Sequence, residues 1–290
     1  MVESGTILKD QYKIVKEIGS GAFGKVYMVE DIKNNSEKYA IKRLNREDLE
    51  KNEYLYKAFW EELKIMEICS CENSVKFIEY FESTNFFNIV MELCEGDLEN
   101  TLNKHKGLFS EEQVKDILIQ LNNVFEIMNL KNIIHRDLKL KNIMIIHDKN
   151  NRIIPKLSDF GFSKVMDEDV TRTRLGTPAT MAPEIMMNKK YTKTCDLWSI
   201  GIITYQLLYK QLPFRARNEK ELLNNILSSN GFKVPDGLQM SDLMKDLLTK
   251  LLQVDPKNRL TWEEFFSHPF LANKKEELLF TNIDKVYSIT

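Results

Sequence analysis

The stretch Ile18-Gly19-Ser20-Gly21-Ala22-Phe23-Gly24-Lys25-Val26-Tyr27-Met28-Val29 decides the fold. Its glycines follow the G-x-G-x-x-G spacing, which also marks dinucleotide-binding folds, where it leads from a strand into a helix. Here residues 12–18 alternate polar and apolar with period two, and residues 25–29 resume a strand at once. The glycines therefore join two strands, which disfavours a nicotinamide-dependent oxidoreductase. Without Cβ atoms they let backbone N–H groups approach phosphate oxygens closely. A hairpin folded over a phosphate tail is the functional reading; an ordinary hairpin turn is the alternative.

Working outward, residues 38–42 supply a third strand. Leu55, Phe59, Leu63 and Met66 recur at helical spacing and predict one helix over 47–69 with these side chains in the core. Two more strands follow at 75–81 and 87–91. After Glu95-Gly96 the period becomes helical. Ser110 is an N-cap candidate for a helix carrying Val114, Ile117, Leu118, Leu121, Phe125 and Met128 on one face. Further helices are predicted over 196–210, 219–227, 241–252 and 261–267. The reading is an α+β chain in two lobes, a small β-rich one with a single helix and a larger α-helical one. A hinge near residues 92–96 and a ligand cleft between the lobes are expected.

The chain has 290 residues, with 41 Lys+Arg against 43 Asp+Glu and a net charge of −2. Its 43% hydrophobic content suffices for a core and excludes a disordered or collagen-like class. Near-zero net charge argues against a nucleic-acid binder working by bulk electrostatics. Cys69, Cys71, Cys94 and Cys195 are too scattered for a disulfide scaffold, and the four histidines show no metal-ligand spacing. Reduced thiols in a cytoplasmic protein, or a nuclear one, are expected. No signal-peptide pattern opens the sequence. The most apolar stretch, 197–209, contains Ser199, Thr204 and Gln206 and falls short of the roughly 20 residues a bilayer requires. It reads as a buried helix, so no membrane span is expected.

The remaining motifs give the chemistry. In order come Ala40-Ile41-Lys42, His135-Arg136-Asp137-Leu138-Lys139-Leu140-Lys141-Asn142, Asp159-Phe160-Gly161 and Ala182-Pro183-Glu184. With the glycine hairpin, this set resembles the eukaryotic protein kinases of serine/threonine type, over 12–271. The resemblance implies lobes at 12–91 and 97–271 joined by a hinge at 92–96. Residues 1–11 are then an N-terminal extension and 272–290 a short tail.

The resemblance also assigns roles. Lys42 would hold the α- and β-phosphates of ATP, oriented by Glu62, which lies thirteen residues before Val75; Glu61 is the second choice. Asp159 and Asn142 would bind Mg2+, for which hard oxygen ligands are suited. Asp137 would act as base or orient the acceptor hydroxyl, and Lys139 would neutralise the moving phosphoryl group. Ile18, Gly19, Gly21, Gly24, Val26, Ala40, Met91, Glu92, Cys94 and Met144 would line the nucleotide pocket, with Met91 as gatekeeper. Thr177 would brace Asp137 and Lys139, and Asp196 would anchor the catalytic-loop backbone. Glu184 and Arg259 would form a buried ion pair, and His135 would pack with Met66, Phe77 and Phe160.

Thr173 stands where many kinases carry an activating phosphate, with Arg136 and Lys164 placed to receive it; the donor would be an upstream kinase or a second copy in trans. The partner is a protein substrate with a Ser or Thr acceptor. Phe162 resembles kinases that prefer serine. Leu140-Lys141 replaces the Pro-Glu of kinases that select basic peptides, so Lys141 should repel upstream arginine, while Asp97 could still attract it. The segments 213–218, 251–256 and 263–271 are most similar to autophagy-initiating kinases, with calcium/calmodulin-type kinases next. A pseudokinase scaffold is the rival class, disfavoured because Lys42, Glu62, Asp137, Asn142 and Asp159 are all present.

Overall fold

The computed structural model describes residues 4–21, 24–165, 176–229, 232 and 239–272. The chain groups into two compact units. The first comprises the described parts of Met1–Thr101, Asn123–His135 and Leu140–Val165, and the second those of Leu102–Asn122, Arg136–Lys139 and Met166–Thr290.

The first unit is built on β1 (Ile7–Leu8), β2 (Tyr12–Gly21), β3 (Gly24–Asp31), β4 (Glu37–Asn45), β5 (Phe77–Ser83) and β6 (Phe86–Glu92). They form one antiparallel sheet in the order β1-β2-β3-β4-β6-β5. Strand twist curls this sheet until its edges meet. Tyr12 of β2 stacks on Phe81 of β5 with ring centroids 6.0 Å apart, and its hydroxyl donates to Glu79 at 2.6 Å. Leu8, Tyr12, Ile14, Tyr27, Val29, Ile41 and Val90 fill the curl. Part of the expected N-terminal extension thus belongs to the sheet.

The predicted helix over 47–69 is two helices, α1 (Arg46–Glu50) and α2 (Glu53–Ile68). Asn52 breaks them apart: its side chain accepts from Leu55 N and caps a new start. Leu55, expected in the core, is consequently half-buried beside that cap, while Ile65 is fully buried. Phe59 stacks on Phe87 at 5.1 Å and joins α2 to the sheet. The first unit also contains β7 (Gly96–Asp97), β8 (Ile133–Ile134), β9 (Ile143–His147), β10 (Ile153–Leu157) and β11 (Lys164–Val165). β10, β9 and β7 form a small sheet, and β11 pairs with β8. Two further helices, α3 (Leu98–Lys104) and α4 (Glu111–Leu130), each fall partly in one unit and partly in the other, the latter where the Ser110 cap predicts it.

The second unit contains α5 (Pro183–Met186), α6 (Thr194–Tyr209), α7 (Glu219–Ser228), α8 (Asp242–Leu251) and α9 (Trp262–Phe266). Helix α6 is buried on nearly every side, as its unbroken apolar run requires. Gly201 lets α8 approach it, since a Cβ there would lie 2.8 Å from Leu252 Cδ2 and 3.0 Å from Leu251 Cβ. Among the described residues no helix is long and apolar enough to cross a membrane.

Candidate active site

Cross-strand register builds the first set of residues. Gly19 pairs with Val26, Val26 with Lys42 and Lys42 with Ile89; one step along, Met28 pairs with Ala40 and Ala40 with Met91. Partners directly opposite in an antiparallel sheet share a face. Val26, Ala40, Lys42 and Met91 therefore line one surface, entered from the glycine hairpin. That hairpin is tighter than the sequence suggests: β2 continues through Gly19 to Gly21, which pairs with Gly24. Ile18 is exposed.

The glycines do different work. A Cβ on Gly24 would stand 2.1 Å from Arg43 O, against backbone that cannot yield, whereas one on Gly19 would make an ordinary 3.7 Å contact with Val26. Gly24→Ala should therefore lower the melting temperature, by the equivalent of about 1–3 kcal/mol of overpacking. Gly19→Ala should leave melting unchanged and report only on nucleotide binding, read as a change in KM for ATP. Equal melting temperatures for the two variants would contradict this division.

Lys42 Nζ lies 2.6 Å from Glu62 Oε1 and 3.8 Å from Asp159 Oδ1. Burial disfavours its ammonium, but the two carboxylates outweigh burial and hold its pKa above the usual lysine value. Glu62 is buried, so Lys42 supplies the counterion its carboxylate requires. Glu61, the other candidate, accepts instead from Val165 N at 3.2 Å and ties α2 to β11. Asp159 has left-handed backbone at φ 60°, an unusual conformation for a non-glycine residue. It directs a carboxylate that is 46% exposed. A Cβ on Gly161 would lie 3.3 Å from Asp159 Oδ1 and 3.4 Å from Glu62 Oε2, so glycine keeps the space between these carboxylates open.

Asn142 and Asp159 are brought to one end of the β9–β10 hairpin, where Leu157 pairs with Ile143. Ser158 fastens that end: its N–H and hydroxyl both donate to Asn142 O, at 2.9 and 3.0 Å. One carboxylate and one amide oxygen fit a hard cation that keeps waters and phosphate oxygens as its other ligands. Asp159 suits this, because Lys42 already shares its charge with the nearer Glu62. His135 is fully buried, with its ring 5.4 Å from Phe160 and Nε2 3.1 Å from Ser158 O.

Glu92 ends β6, Cys94 follows it, and Met144 lies on β9, all within the first unit. Glu92 N donates to Lys76 O at 2.9 Å, and Asp97 pairs with Met144 across β7–β9. Burial, helped by the charge of Glu92, pushes the Cys94 thiol up to about 12, so it remains protonated at neutral pH. Sequence reasoning missed Lys156, a buried cation that lies 3.1 Å from Glu92 and donates to Glu72 O at 2.9 Å. It also missed Glu95, which accepts from both the backbone N and the Nδ1 of His147, at 2.9 and 2.6 Å. Asp97 remains a half-buried carboxylate that also caps a helix. Its two oxygens accept from Asn100 N at 2.7 Å and Asn100 Nδ2 at 2.6 Å and cap α3. Lys141 lies 3.4 Å from Glu99, which offsets its charge.

The second unit carries the other set. Lys139 Nζ donates to Asp137 Oδ2 at 2.6 Å and Thr177 Oγ1 at 2.9 Å, while the Thr177 hydroxyl donates to Asp137 Oδ1 at 2.7 Å. Asp137 is 2% exposed, so this closed triangle fixes its carboxylate. Arg136 has φ 67° and its N–H donates to Asp196 Oδ1 at 3.0 Å. Gly176, at φ 111°, passes so close that a Cβ would be 2.3 Å from Arg136 O. Arg259 grips Glu184 with two hydrogen bonds, at 2.7 and 3.0 Å. Thr173 lies outside the described residues.

Residues 12–271 match the model of the protein kinase domain. The chain is 36% identical over 279 residues to serine/threonine-protein kinase ATG1b of Arabidopsis thaliana, covering 94% of this chain and 38% of that protein. It is 37% identical over 266 residues to serine/threonine-protein kinase atg1 of Dictyostelium discoideum, covering 90% and 39%. Calcium/calmodulin-dependent protein kinase type 1 of Caenorhabditis elegans matches at 31% over 267 residues, covering 91% and 75%. The chain belongs to the protein kinase domain family, in company with relatives of the serine/threonine type. It spans well under half the length of the ATG1 relatives.

Proposed function

We propose that this chain transfers the γ-phosphate of ATP, bound with Mg2+, to serine, and less readily threonine, hydroxyls of protein substrates. The observation that carries this is the Lys42–Glu62 pair with Asp159 beside it. A scaffold that binds partners alone has no need of a half-buried lysine paired with a buried glutamate and held toward an exposed carboxylate. Residues 12–271 form the catalytic domain, with 12–91, 92–96 and 97–271 as small lobe, hinge and large lobe. Ile18, Gly19, Gly21, Gly24, Val26, Ala40, Met91, Glu92, Cys94 and Met144 receive the nucleotide, and Lys42 orients its α- and β-phosphates.

Asp159 and Asn142 would hold Mg2+, which when bound supplies charge neutralisation across the phosphates. Asp137 accepts a hydrogen bond from the acceptor hydroxyl and orients its oxygen. Lys139, already bonded to Asp137, keeps that carboxylate in one rotamer and brings positive charge to the transferring group. Phosphorylation of Thr173, by an upstream kinase or in trans, would raise activity by pairing with basic side chains of this domain. The ATG1 relatives favour autophagy-type signalling in the cytoplasm over a calcium/calmodulin-type pathway.

A positional peptide library with MgATP tests the substrate reading. Serine should exceed threonine as acceptor, and arginine upstream should bring only a reduced gain, because Lys141 opposes it while the Asp97 carboxylate still attracts it. Strong upstream arginine selection or a threonine preference would overturn it.

A further inference from the structure

The second unit displays cations that the site above does not use. Lys189 and Lys190 follow α5, and Arg215 and Arg217 precede α7; all four are exposed. Helices α5 and α7 pack against each other. Their charged groups stand at the solvent surface, although the chain as a whole is slightly acidic. Arg215 reaches the amide oxygen of Gln211.

The loop bearing the arginines is anchored by its backbone, which leaves the guanidinium groups outward. Asn225 Nδ2 donates to Arg215 O at 2.8 Å, Arg217 N donates to Glu221 Oε2 at 3.0 Å, and Asn218 caps α7 through Glu221 N at 2.9 Å. Just before them Phe214 stacks on Trp198, with ring centroids 5.7 Å apart and planes 8° from parallel. The next residue of α6, Ser199, donates to Thr180 O at 2.8 Å, and the Thr180 hydroxyl donates to Thr177 O at 3.3 Å. Thr177 touches Asp137. Packed contacts therefore connect the arginine loop to the residues that would hold the acceptor hydroxyl.

We propose that Arg215 and Arg217, with Lys189 and Lys190, form a docking surface for an acidic segment of the protein whose hydroxyl is phosphorylated. This rests on the kinase reading and names a substrate class for it. An acidic peptide is favoured over a membrane or nucleic acid because the patch is small and interspersed with Glu219 and Glu221. Polyanion and lipid surfaces are met by a broad basic excess, which this chain lacks. Exposed ion pairs are individually weak, so the surface sets substrate choice and leaves the chemical step alone.

The test is fluorescence anisotropy of a labelled serine peptide followed by an Asp/Glu run, against the same peptide with Asn/Gln. Both are titrated with the full chain and with R215E/R217E. The wild type should bind the acidic peptide more tightly, and the variant should lose about five- to tenfold of that affinity at low salt. Both proteins should melt alike, and the neutral peptide should not discriminate between them. K189E/K190E supplies a second variant with the same expected direction. Equal wild-type binding of the two peptides, or unchanged binding by both variants, would overturn the surface. So would binding of phosphatidylserine vesicles or RNA without the acidic peptide. Binding requires no turnover, so a wild type that selects the acidic peptide yet phosphorylates nothing would sink the kinase reading and leave the surface standing.

Discussion

Asp137→Asn should lower kcat for peptide phosphorylation by about 10²–10⁴-fold, the range removed with a positioned base. It should leave KM for ATP and the melting temperature nearly unchanged. The asymmetry follows from placement. Asp137 makes its described hydrogen bonds with Lys139 and Thr177, whereas Lys42, Glu62 and Asp159 form a separate group within the other unit. Asparagine keeps one oxygen acceptor and the volume of the buried side chain, so the fold has little to lose. Thr177→Val should act in the same direction but less, by about tenfold, since it removes the hydroxyl that ties Asp137 to Lys139. Steady-state kinetics over both substrates decide the matter. A rise in KM for ATP with kcat preserved would show that Asp137 serves the nucleotide and not the hydroxyl.

The largest loss of stability should come from the pair Glu184–Arg259. Their side chains are 3% and 0% exposed, so removing one partner leaves a charge in the interior without its counterion. Glu184→Ala or Arg259→Ala should each cost about 3–5 kcal/mol. That is a large share of the roughly 5–15 kcal/mol that holds a domain together. Arg259 also donates to Thr194 O at 3.0 Å and to Gln253 O at 3.0 and 3.2 Å, and it lies 5.4 Å from the Trp198 ring. Its loss therefore frees carbonyls at the start of α6 and after α8 as well. The double change Glu184→Leu with Arg259→Met, apolar and similar in volume, should be less costly than either single change. Urea midpoints measured at constant slope compare them. Single variants within about 1 kcal/mol of wild type would show that the pair contributes little.

Much of this was legible because the site-bearing segments are short and local in sequence. The strand on both sides of the glycines was readable from period two, and Glu62 from its distance to Val75. Helix α6 announced itself through an apolar run too long for a strand and too short for a bilayer. What was not legible depends on contacts between distant residues. Lys156 reads as a polar interruption in a strand, and nothing local indicates that it bonds to Glu72 O, 84 residues earlier. The five-residue strands β9 and β10 are too short for periodicity to separate from other apolar runs.

Gly24 shows a subtler limit. Its type is consistent with phosphate approach, yet the nearest reason for it is the carbonyl of Arg43 on the neighbouring strand. Asp97 was read as an attractant for basic substrates because its carboxylate stands near the expected hinge. The structure gives it a second task, capping α3 through Asn100, a helix the hydrophobic pattern does not reveal.

The central claim is phosphoryl transfer through the Lys42–Glu62–Asp159 group, and transfer of label from γ-labelled ATP to a serine peptide measures it most directly. The full chain should incorporate label when Mg2+ is added and not in its absence. Asp159→Ala should fold as well as the wild type, because its carboxylate is half exposed, and should incorporate none above background. A wild type that stays inactive with Thr173 either phosphorylated or unmodified, or an Asp159→Ala variant as active as the wild type, would contradict the account.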